Sequence, residues 1–432
     1  MLLCLVWSEG YSRYRTPIAE IFNPETKLEL QMRVEIALAQ VQEQLGMIPA
    51  GVAEQIAHAA KNVKLNRVLE IEREIHHDLM AMVKALAEQA GEAGEFVHFT
   101  ATSMDIQDTV LALQMVQARK VLMEELEKLR SVLRELTQKY RDVPCVGRTH
   151  GQFAVPTTVG FKFANFLFEL SFAIENLKMA EIDYAKISGA VGNYASSMRL
   201  DLEKLVLEKL GLRPIPISTQ VVTRLVHSKL IFALASIGAV LERLAKEIRH
   251  LQRSEIQEWF EPRVKTQVGS SAMPHKRNPH KSERINGLAR ILRANVNVAM
   301  ENIALEHERD ITNSAPERLI IPENFIVLHY MVRQMILILE GLEINTEQLT
   351  RNLEKASVSR SEQILKLLVE KVGRQTGHEL LRQHVEADNF KESVLNDKRI
   401  TDLLGKEKLK EIFDEINVGL APQKCDYILE TY

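Results

Sequence analysis

Proline is missing from three long stretches of the chain, and no other feature restricts its possible folds as much. No proline occurs between Pro49 and Pro144, between Pro216 and Pro262, or between Pro322 and Pro422. A proline inside a helix removes a backbone hydrogen-bond donor, and its ring clashes with the preceding turn. These stretches therefore permit very long helices, provided that their apolar residues are spaced to support them.

Two of the stretches carry apolar residues at helical spacing. Steps of three and four residues keep successive side chains on one side of a helix, and so narrow a stripe is typical of long helices packed side by side. Segments with the alternation of a strand are hard to find. We therefore predict an all-α fold around a central bundle of long helices. The stripes are Leu122, Leu126, Leu129, Leu133, Leu136 and Tyr140, and Leu234, Ile237, Leu241, Leu244, Ile248 and Leu251.

Local signals support a helical chain divided into domains. Asn23-Pro24-Glu25 combines a helix cap, a first-turn proline and an acidic first turn, and Gly46 predicts the end of that helix. No internal repeat is visible, so a solenoid is not expected. We predict an N-terminal helical domain (1–102), a central long-helix bundle domain that carries a catalytic loop (103–349) and a C-terminal helical domain (350–432).

The charge balance gives no global reason to bind nucleic acid. The formal net charge is -3 over 432 residues, so any anion site has to be a local cluster. Cys4, Cys145 and Cys425 are widely scattered and form no Cys-x-x-Cys pair. This pattern argues against a disulfide framework and a thiolate metal site, and it is typical of a reducing cytosol.

The apolar runs are too short to predict a membrane segment. Leu2–Trp7 is shorter than a signal-peptide core and has no basic leader. Leu230–Leu241 falls short of the ~20 residues that cross a bilayer. We expect a cytoplasmic protein without a membrane partner.

Five polar segments interrupt the helical pattern. Arg13–Pro17 is either a solvated arm or a contact to phosphate or carboxylate, because arginine offers such groups a planar fork. His76-His77-Asp78 is either a surface group or a His–Asp pair that orients a substrate. Adjacent helical residues point about 100° apart, so we expect no metal shared by the two histidines.

The next two segments each combine a structural signal with a chemical one. In His98–Asp105, Thr102 or Ser103 can cap a helix whose first N–H groups also favour an anion. Gly147–Gly151 predicts a turn between helices that presents His150 between two glycines. An exposed histidine of this kind suits a proton donor.

The fifth segment, Gly269–Pro279, reads Gly-Ser-Ser-Ala-Met-Pro-His-Lys-Arg-Asn-Pro between helical flanks. Small residues followed by cations predict a loop that closes over an anionic ligand. Charge runs are often solvated surfaces, but Ser, Asn, Gly and Pro between these cations favour a polyanionic ligand. The cations here and soon after are Lys276, Arg277, Arg284, Arg309 and Arg318.

The run Gly269–Pro279 resembles the signature loop of the fumarase/aspartase superfamily, whose members eliminate fumarate from succinyl compounds. Its Met-Pro-His-Lys form is similar to that of the adenylosuccinate lyases and the carboxymuconate cycloisomerases. His150 favours the lyases, because the cycloisomerases usually lack this histidine. The Arg13-Tyr14 start and the later arginines also resemble nucleotide-binding positions of the lyases, and the matches follow the expected order across nearly the whole chain.

The resemblance implies a three-domain helical fold and a homotetramer in which each active site is assembled from three subunits. It implies β-elimination of fumarate from adenylosuccinate and from succinyl-aminoimidazole carboxamide ribotide, both nucleotide substrates, without cofactor or metal. Ser270 would be the base and His150 the acid. Lys276 would stabilise the carbanion, and Glu283 would pair with His150.

The remaining site positions also follow from the resemblance. His77 falls within the family's Arg-His-Asp triplet and is assigned to catalysis with the four residues above. The substrate-binding positions are Arg13, Tyr14, His76, Asp78, Thr102, Ser103, Thr149, Gln220, Ser271, Arg277, Asn278, Arg284, Arg309, Ser314 and Arg318.

Two positions depart from the family pattern. The arginine usual before His77 is His76 here, which is shorter and only partly charged near neutral pH. An aspartate often found near Arg224 is absent, with Leu225 and Val226 in its place. Another superfamily lyase or a 3-carboxy-cis,cis-muconate cycloisomerase is the alternative enzyme. A helical scaffold would explain the apolar stripes but not the serines, glycines and cations in the gaps.

Overall fold

The computed structural model describes residues 12–195, 199–263, 273, 276–387 and 389–432. It divides into two compact units, each made of three segments. Unit 1 comprises Met1–Glu127, Ala173–Leu241 and Gly287–Arg333, and unit 2 comprises Lys128–Phe172, Glu242–Asn286 and Gln334–Tyr432. The predicted Ser270 and Ser271, Cys4 and the run Leu2–Trp7 lie outside the described residues.

Helices dominate the described residues, which confirms the all-α prediction. The longest, α5, has 37 residues, and α8 and α10 have 27 each, against a mean of about 11–12 in globular proteins. In chain order the helices are α1 Pro24–Gln44, α2 Val52–Ala60, α3 Leu65–Ile75, α4 Asp78–Ala90, α5 Ser103–Lys139, α6 Val159–Lys178, α7 Leu200–Leu210, α8 Leu225–Leu251, α9 His280–Glu301, α10 Ser314–Glu340, α11 Thr346–Lys355, α12 Ser361–Val372, α13 Arg374–Arg382, α14 Phe390–Asn396, α15 Lys398–Leu404, α16 Lys406–Asp414 and α17 Ala421–Thr431.

The predicted apolar stripes are the buried sides of α5 and α8. In α5 the stripe is buried from Leu122 to Leu133 and half-buried at Leu136 and Tyr140. In α8 every member of the stripe is buried. By length and composition alone α8 could also cross a membrane, but 61% of its most apolar window is buried inside the protein, as in the core helix of a globular protein.

The predicted start of α1 is confirmed in detail. The Asn23 side chain accepts a hydrogen bond of 2.6 Å from the backbone N–H of Thr26, and Pro24 occupies the first turn. Gly46 follows the helix with a φ of +68°, a left-handed conformation that glycine adopts without steric cost.

Among the residues that the structure describes, three two-stranded sheets add a minor β component that was not predicted from the sequence. The strands β1 Pro144–Thr149 and β2 Gln152–Thr158 form an antiparallel hairpin. Gly147–Gly151 is therefore part of a hairpin, whereas we expected a turn between two helices. The short pairs are β3 Tyr184–Ala185 with β4 Arg213–Pro214, which are parallel, and β5 Trp259–Phe260 with β6 Glu343–Ile344, which are antiparallel.

Each unit has an apolar core of its own. In unit 1, α1–α4 and α7 pack with the first part of α5, so this core extends past residue 102 and includes Leu202–Leu212. In unit 2, one cluster runs from Ile364 to Phe413 within the predicted C-terminal domain. The boundaries at 102 and 349 stay predictions, because the two units cut across them.

Asp105 in the first turn of α5 fixes the start of this helix. Its carboxylate accepts hydrogen bonds from the backbone N–H groups of Thr102 (2.8 Å) and Ser188 (3.0 Å), and it forms an ion pair with Lys186. Both charged side chains are at most 1% exposed. A buried pair of this kind depends on both partners, because either charge alone would be left without compensation.

We expect Lys186→Met to lower the melting temperature by roughly 5–10 °C, since the Asp105 carboxylate would stay buried without its counter-charge. Differential scanning fluorimetry measures the change. The control is Lys204→Met, which breaks an exposed 3.8 Å pair with Glu208 and should shift melting by about 1 °C or less. Equal shifts in the two variants would contradict the role given to the buried pair.

Candidate active site

Three predicted binding residues of unit 1 form one hydrogen-bonded group. The Arg309 guanidinium donates from Nη1 to Gln220 Oε1 (2.9 Å) and from Nη2 to Ser314 Oγ (3.2 Å). Gln220 is held in turn, because its backbone N–H donates to the Glu308 carbonyl at 3.2 Å and its side chain to the Ala190 carbonyl at 3.0 Å. The structure thus brings together positions that are far apart in the sequence.

A buried ion network supports this group. Arg224 donates two hydrogen bonds to Asp108, of 2.8 and 2.9 Å, and a third of 3.1 Å to Glu317. Asp108 also accepts from the backbone N–H of Val222 at 2.8 Å, and Glu317 lies 2.9 Å from Nδ1 of His227. The network joins α5, the segment before α8 and the first turn of α10. Sequence reasoning treated Arg224 only as a neighbour of a missing aspartate and did not identify the network.

The network sets the charges of its members. Burial alone would raise the pKa of Asp108, but Arg224 outweighs it and holds the pKa below its ordinary value. Burial would likewise raise the pKa of Glu317, but His227 and Arg224 lower it. Burial lowers the pKa of Arg309, although Asp108 opposes this effect. Arg309 is therefore a partly desolvated cation, which strengthens its attraction to an anionic ligand.

A cavity of about 330 Å³ lies in unit 1 and is lined by both Ser314 and Arg318. Asp78 Oδ2 accepts a 2.9 Å hydrogen bond from Arg318 and lies 4.0 Å from Nζ of Lys27. Burial would raise the pKa of Asp78, but Lys27 and Arg318 together lower it. Burial lowers the pKa of Lys27, which also lines the cavity. Lys27 and Arg318 share this one carboxylate, whereas the other charges of the lining, Arg224, Asp108 and Glu317, are paired with one another.

The two neighbouring histidines hold different backbone positions. His76 ends α3 in the left-handed conformation, with φ +55°. His77 caps α4, and its Nδ1 accepts a 3.2 Å hydrogen bond from the backbone N–H of Met80. Its Nδ1 also lies 3.9 Å from Asp78. His77 thus has the structural role of a helix cap, and its exposed ring leaves a catalytic role as a prediction.

The segment before α5 is shaped by another histidine that sequence reasoning passed over. His98 has a φ of +61°, and its Nδ1 lies 2.8 Å from Glu35. Burial would lower the pKa of His98, but the hydrogen bond and charge of Glu35 raise it. Thr102 and Ser103 follow at the start of α5, half-buried. A buried glutamate on α1 gave no sequence signal, since Glu35 sits in an ordinary helical pattern.

The N-terminal candidates Arg13 and Tyr14 lie just inside the described residues. Tyr14 packs edge-on against Tyr330 of α10, with ring centroids 5.1 Å apart. Arg13 is exposed. The aromatic contact fixes this segment against α10, the helix that also carries Ser314 and Arg318.

In unit 2 the predicted acid is presented at the tip of the β1–β2 hairpin. His150 and Gly151 form the two-residue turn, with φ of +54° and +77°. Positive φ at both positions is the geometry of a tight type I′ hairpin turn, and it is unusual for histidine. His150 and Thr149 are both exposed. Strained backbone at an exposed histidine is the kind of feature that marks functional sites.

Arg148 anchors the hairpin through a buried carboxylate and also lines a cavity of about 890 Å³ in unit 2. It forms a two-point pair with the fully buried carboxylate of Glu258, with hydrogen bonds of 3.1 and 2.6 Å. Asn352 donates a further 2.8 Å hydrogen bond to Glu258. Gly147 lies so close to the Val155 carbonyl that a Cβ there would be 2.5 Å from its oxygen. The motif around His150 is therefore largely structural.

The C-terminal end of the predicted catalytic loop is fastened in unit 2. Arg277 lies over the Phe260 ring (4.6 Å to its centroid) and forms a 3.0 Å ion pair with Glu343. Its carbonyl accepts a 2.9 Å hydrogen bond from Gln252. Arg277 thus has structural partners, whereas Lys276 is exposed and Asn278 is half-buried.

Glu261 ties the other end of the same loop to α9. Its carboxylate accepts hydrogen bonds from the backbone N–H groups of Ser282 (2.6 Å) and Lys281 (3.3 Å), at the start of the helix. A carboxylate is favourable there because these N–H groups have no partner within the helix. Glu261 and the start of α9, which flank the predicted catalytic loop in the sequence, are thus held together.

Two further predicted residues lie on the first turns of α9. Glu283 is exposed and its carboxylate lies 4.0 Å from Arg249. Its proposed pairing with His150 stays a prediction. Arg284 is half-buried. Within the described part of the chain, no three His, Cys, Asp or Glu side chains are grouped as a metal site requires.

Comparison with known proteins identifies the family of this chain. Residues 10–292 match the family model described as lyase. The adenylosuccinate lyase of Pyrococcus abyssi is 47% identical over 84% of this chain and 82% of its own length. That of Pyrococcus horikoshii is 43% identical, over 95% and 94%, and that of Thermotoga maritima 38% identical, over 96% and 98%. The chain belongs to the adenylosuccinate lyase family.

Solved structures place this member of the adenylosuccinate lyase family in a wider fold. A fumarate lyase from Mesorhizobium sp. BNC1 has a TM-score of 0.89 and 27% identity, covering 96% of this chain and 97% of its own. The 3-carboxy-cis,cis-muconate lactonizing enzyme from Pseudomonas putida has a TM-score of 0.88 and 25% identity, covering 98% of each chain. The fumarase/aspartase fold implied by the sequence is confirmed.

We expect Glu317→Gln to lower the melting temperature by roughly 5 °C at pH 7, because Arg224 and His227 lose a buried counter-charge. The pKa of Glu317 is depressed in the folded protein. Its stabilising effect is therefore complete above the ordinary pKa of about 4.3 and is lost as the pH falls through the folded value.

The melting temperatures of wild type and Glu317→Gln should therefore converge as the pH is lowered from 7 to 3. The control is Glu347→Gln, whose side chain is 82% exposed and pairs only loosely with Arg351 at 3.6 Å. A constant difference between wild type and Glu317→Gln across this pH range would contradict the prediction.

Proposed function

We propose that this protein is a C–N lyase that eliminates fumarate from adenylosuccinate, giving AMP. The same reaction on succinyl-aminoimidazole carboxamide ribotide gives the aminoimidazole carboxamide ribotide, and both belong to purine biosynthesis. The observation that carries the proposal is His150, the residue that separates lyases from cycloisomerases, at the exposed tip of an anchored hairpin in a chain of the adenylosuccinate lyase family.

The acid of the reaction is assigned to His150. When the C–N bond breaks, its electron pair remains on nitrogen and has to take up a proton. A histidine at a hairpin tip reaches a substrate without moving a helix, and the Arg148–Glu258 pair limits the movement of the strands. Glu283 is proposed to set the protonation state of this histidine.

The base is assigned to Ser270, which removes the proton from the carbon next to a substrate carboxylate. A serine hydroxyl is a weak base, so the site has to stabilise its alkoxide with positive charge and N–H groups. Lys276 and Asn278, with Ser271, are proposed to hold the carboxylate whose charge grows as the carbanion forms. Arg277 is proposed to assist through its hold on the loop, since its guanidinium already has partners.

The nucleotide side is assigned to five residues of unit 1, namely Arg13, Tyr14, Arg309, Ser314 and Arg318. Arg309, Ser314 and Gln220 are joined by hydrogen bonds, and Arg318 lies beside Asp78. These groups offer donors and positive charge to a phosphate or a carboxylate. Gln220, with Thr102 and Ser103 beside it, is assigned to the succinyl group. His77 keeps its predicted catalytic role, and the further proposed binding positions are His76, Asp78, Thr149 and Arg284.

The exposed side of α6 supports a homotetramer, in which each active site takes residues from three subunits. Phe161, Phe168 and Phe172 recur along this side and are 38%, 38% and 62% exposed. Large aromatic side chains in one stripe on a helix mark a surface that another chain covers. A cytoplasmic location and the absence of membrane, nucleic-acid and cofactor partners remain part of the proposal.

Purified protein should convert adenylosuccinate into AMP and fumarate, which is followed as a change in ultraviolet absorbance. Ser270→Ala and His150→Ala should each retain less than a few per cent of the wild-type kcat, because each removes one proton-transfer group. Light scattering should show the same assembly in both variants as in wild type.

A protein without turnover of adenylosuccinate would overturn the proposed reaction. Activity above a few per cent in Ser270→Ala would instead overturn only the assignment of the base. Turnover of carboxymuconate without turnover of adenylosuccinate would favour the cycloisomerase alternative. The sequence identity does not support that alternative, because it is 25% to the lactonizing enzyme and 47% to the adenylosuccinate lyase of Pyrococcus abyssi.

We expect Phe172→Glu to shift the protein from four chains to smaller species, measured by size-exclusion chromatography with light scattering. Activity should fall with the assembly, since the proposed site needs several subunits. The matched control is Val385→Glu, which introduces the same charge outside α6 at a residue that is 49% exposed. A tetramer that survives Phe172→Glu would show that α6 is not in the interface.

A further inference from the structure

Arg360 is a buried arginine without a carboxylate partner among the described residues. It lies at the end of a short 3-10 helix, Ser357–Arg360, and is 5% exposed. Its Nη1 donates a 3.0 Å hydrogen bond to Ser359 Oγ, and its Nε has no hydrogen-bond partner. A buried guanidinium is normally paired, because desolvation of an unpaired charge is costly.

Arg224 in unit 1 is also a buried arginine, but its partners differ from those of Arg360. Arg224, which is similarly buried, makes three hydrogen bonds to the carboxylates of Asp108 and Glu317. These carboxylates raise the pKa of Arg224 despite its burial. Burial lowers the pKa of Arg360, and no carboxylate offsets this effect. The fold thus supplies the counter-charge in one place and omits it in the other.

Arg360 lines a cavity of about 740 Å³ within unit 2. Two more cations, Lys366 and Arg374, and the polar Ser359 and Gln363 line the same cavity. Glu362 and Glu370 also line it, so the site is not purely cationic. Neither glutamate raises the pKa of Arg360, which burial lowers.

Helix α12 has 12 residues and begins at Ser361, directly after Arg360, without a side-chain cap. The backbone N–H of Ser361 already donates to the Val358 carbonyl of the preceding 3-10 helix. The need for a ligand at this cavity therefore arises from the buried guanidinium of Arg360 itself.

We propose that the cavity at Arg360 binds a phosphate group, with Arg360 as its main ligand and Ser359 and Lys366 as secondary ones. A phosphate offers three acceptor oxygens and close to two negative charges, which match a guanidinium, a hydroxyl and an ammonium group better than a carboxylate does. The cavity of about 740 Å³ is large enough for either inorganic phosphate or the phosphate group of a sugar phosphate. The binding of this group does not depend on the lyase reaction proposed above.

Calorimetric titration of the full-length protein with inorganic phosphate, and separately with ribose 5-phosphate, tests the proposal. Arg360→Met should weaken phosphate binding at this site about tenfold or more, because it removes the charge while keeping an unbranched chain. Arg382→Met is the matched control, since Arg382 belongs to α13, its side chain is 66% exposed and it pairs with Glu379. It should leave the titration unchanged. The stronger of the two titrants identifies the source of the phosphate.

Melting temperatures give an independent readout. In phosphate-free buffer Arg360→Met should melt at the same temperature as wild type or higher, because an uncompensated buried charge is removed. Added phosphate should then raise the melting temperature of wild type more than that of the variant. Lys366 is exposed, so Lys366→Met should fold normally, and it should bind phosphate several-fold more weakly than wild type.

Equal phosphate affinity in wild type, Arg360→Met and Lys366→Met would overturn the proposal. So would an Arg360→Met variant that melts well below wild type without phosphate, since Arg360 would then be a structural residue. Repeating the titrations in an Arg309→Met background separates this site from the proposed nucleotide site. Arg360→Met should retain lyase turnover within about twofold, so a failure of one proposal is distinguishable from a failure of the other.

Discussion

Two buried carboxylates at the start of α5 hold the loops on which the candidate binding groups of unit 1 depend. Asp105 holds Lys186 and the backbone of Ser188, and Asp108 holds Arg224 and the backbone of Val222. A long helix provides a rigid base for such contacts, whereas a loop alone would cost conformational entropy to order. The loops are therefore positioned by charge pairs that exclude water, and the binding groups beside them remain available for a ligand.

The same arrangement recurs in unit 2 around Glu258. This buried carboxylate holds Arg148 of the His150 hairpin and also accepts from Asn352 of α11. In both units, an ion pair hidden from solvent supports candidate site residues, which are half-buried around Arg309 in unit 1 and exposed at His150 in unit 2. Arg360 departs from this pattern, because it is buried and has no carboxylate partner among the described residues.

Part of the candidate site could be predicted from the sequence because its residues stand where apolar ones would be expected. Gln220, Arg309 and Ser314 are joined by hydrogen bonds in the structure, and His150 is exposed. The roles of supporting residues could not be predicted. Nothing in the order of the sequence indicates that Glu258 lies against Arg148, because a pairing over such a distance depends on the packing of the intervening helices.

The sequence by itself determined the helical character, the sides of α5 and α8 that are buried, and the residue types available for elimination chemistry. These properties follow from the spacing of prolines and apolar residues, which acts over a few turns of helix. Only the tertiary structure decided that Gly147–Gly151 belongs to a hairpin, that Arg148 and Arg277 are anchors, and that Arg360 has no carboxylate partner within the described part of the chain. The physical reason is that burial and charge compensation are set by side chains distant in sequence.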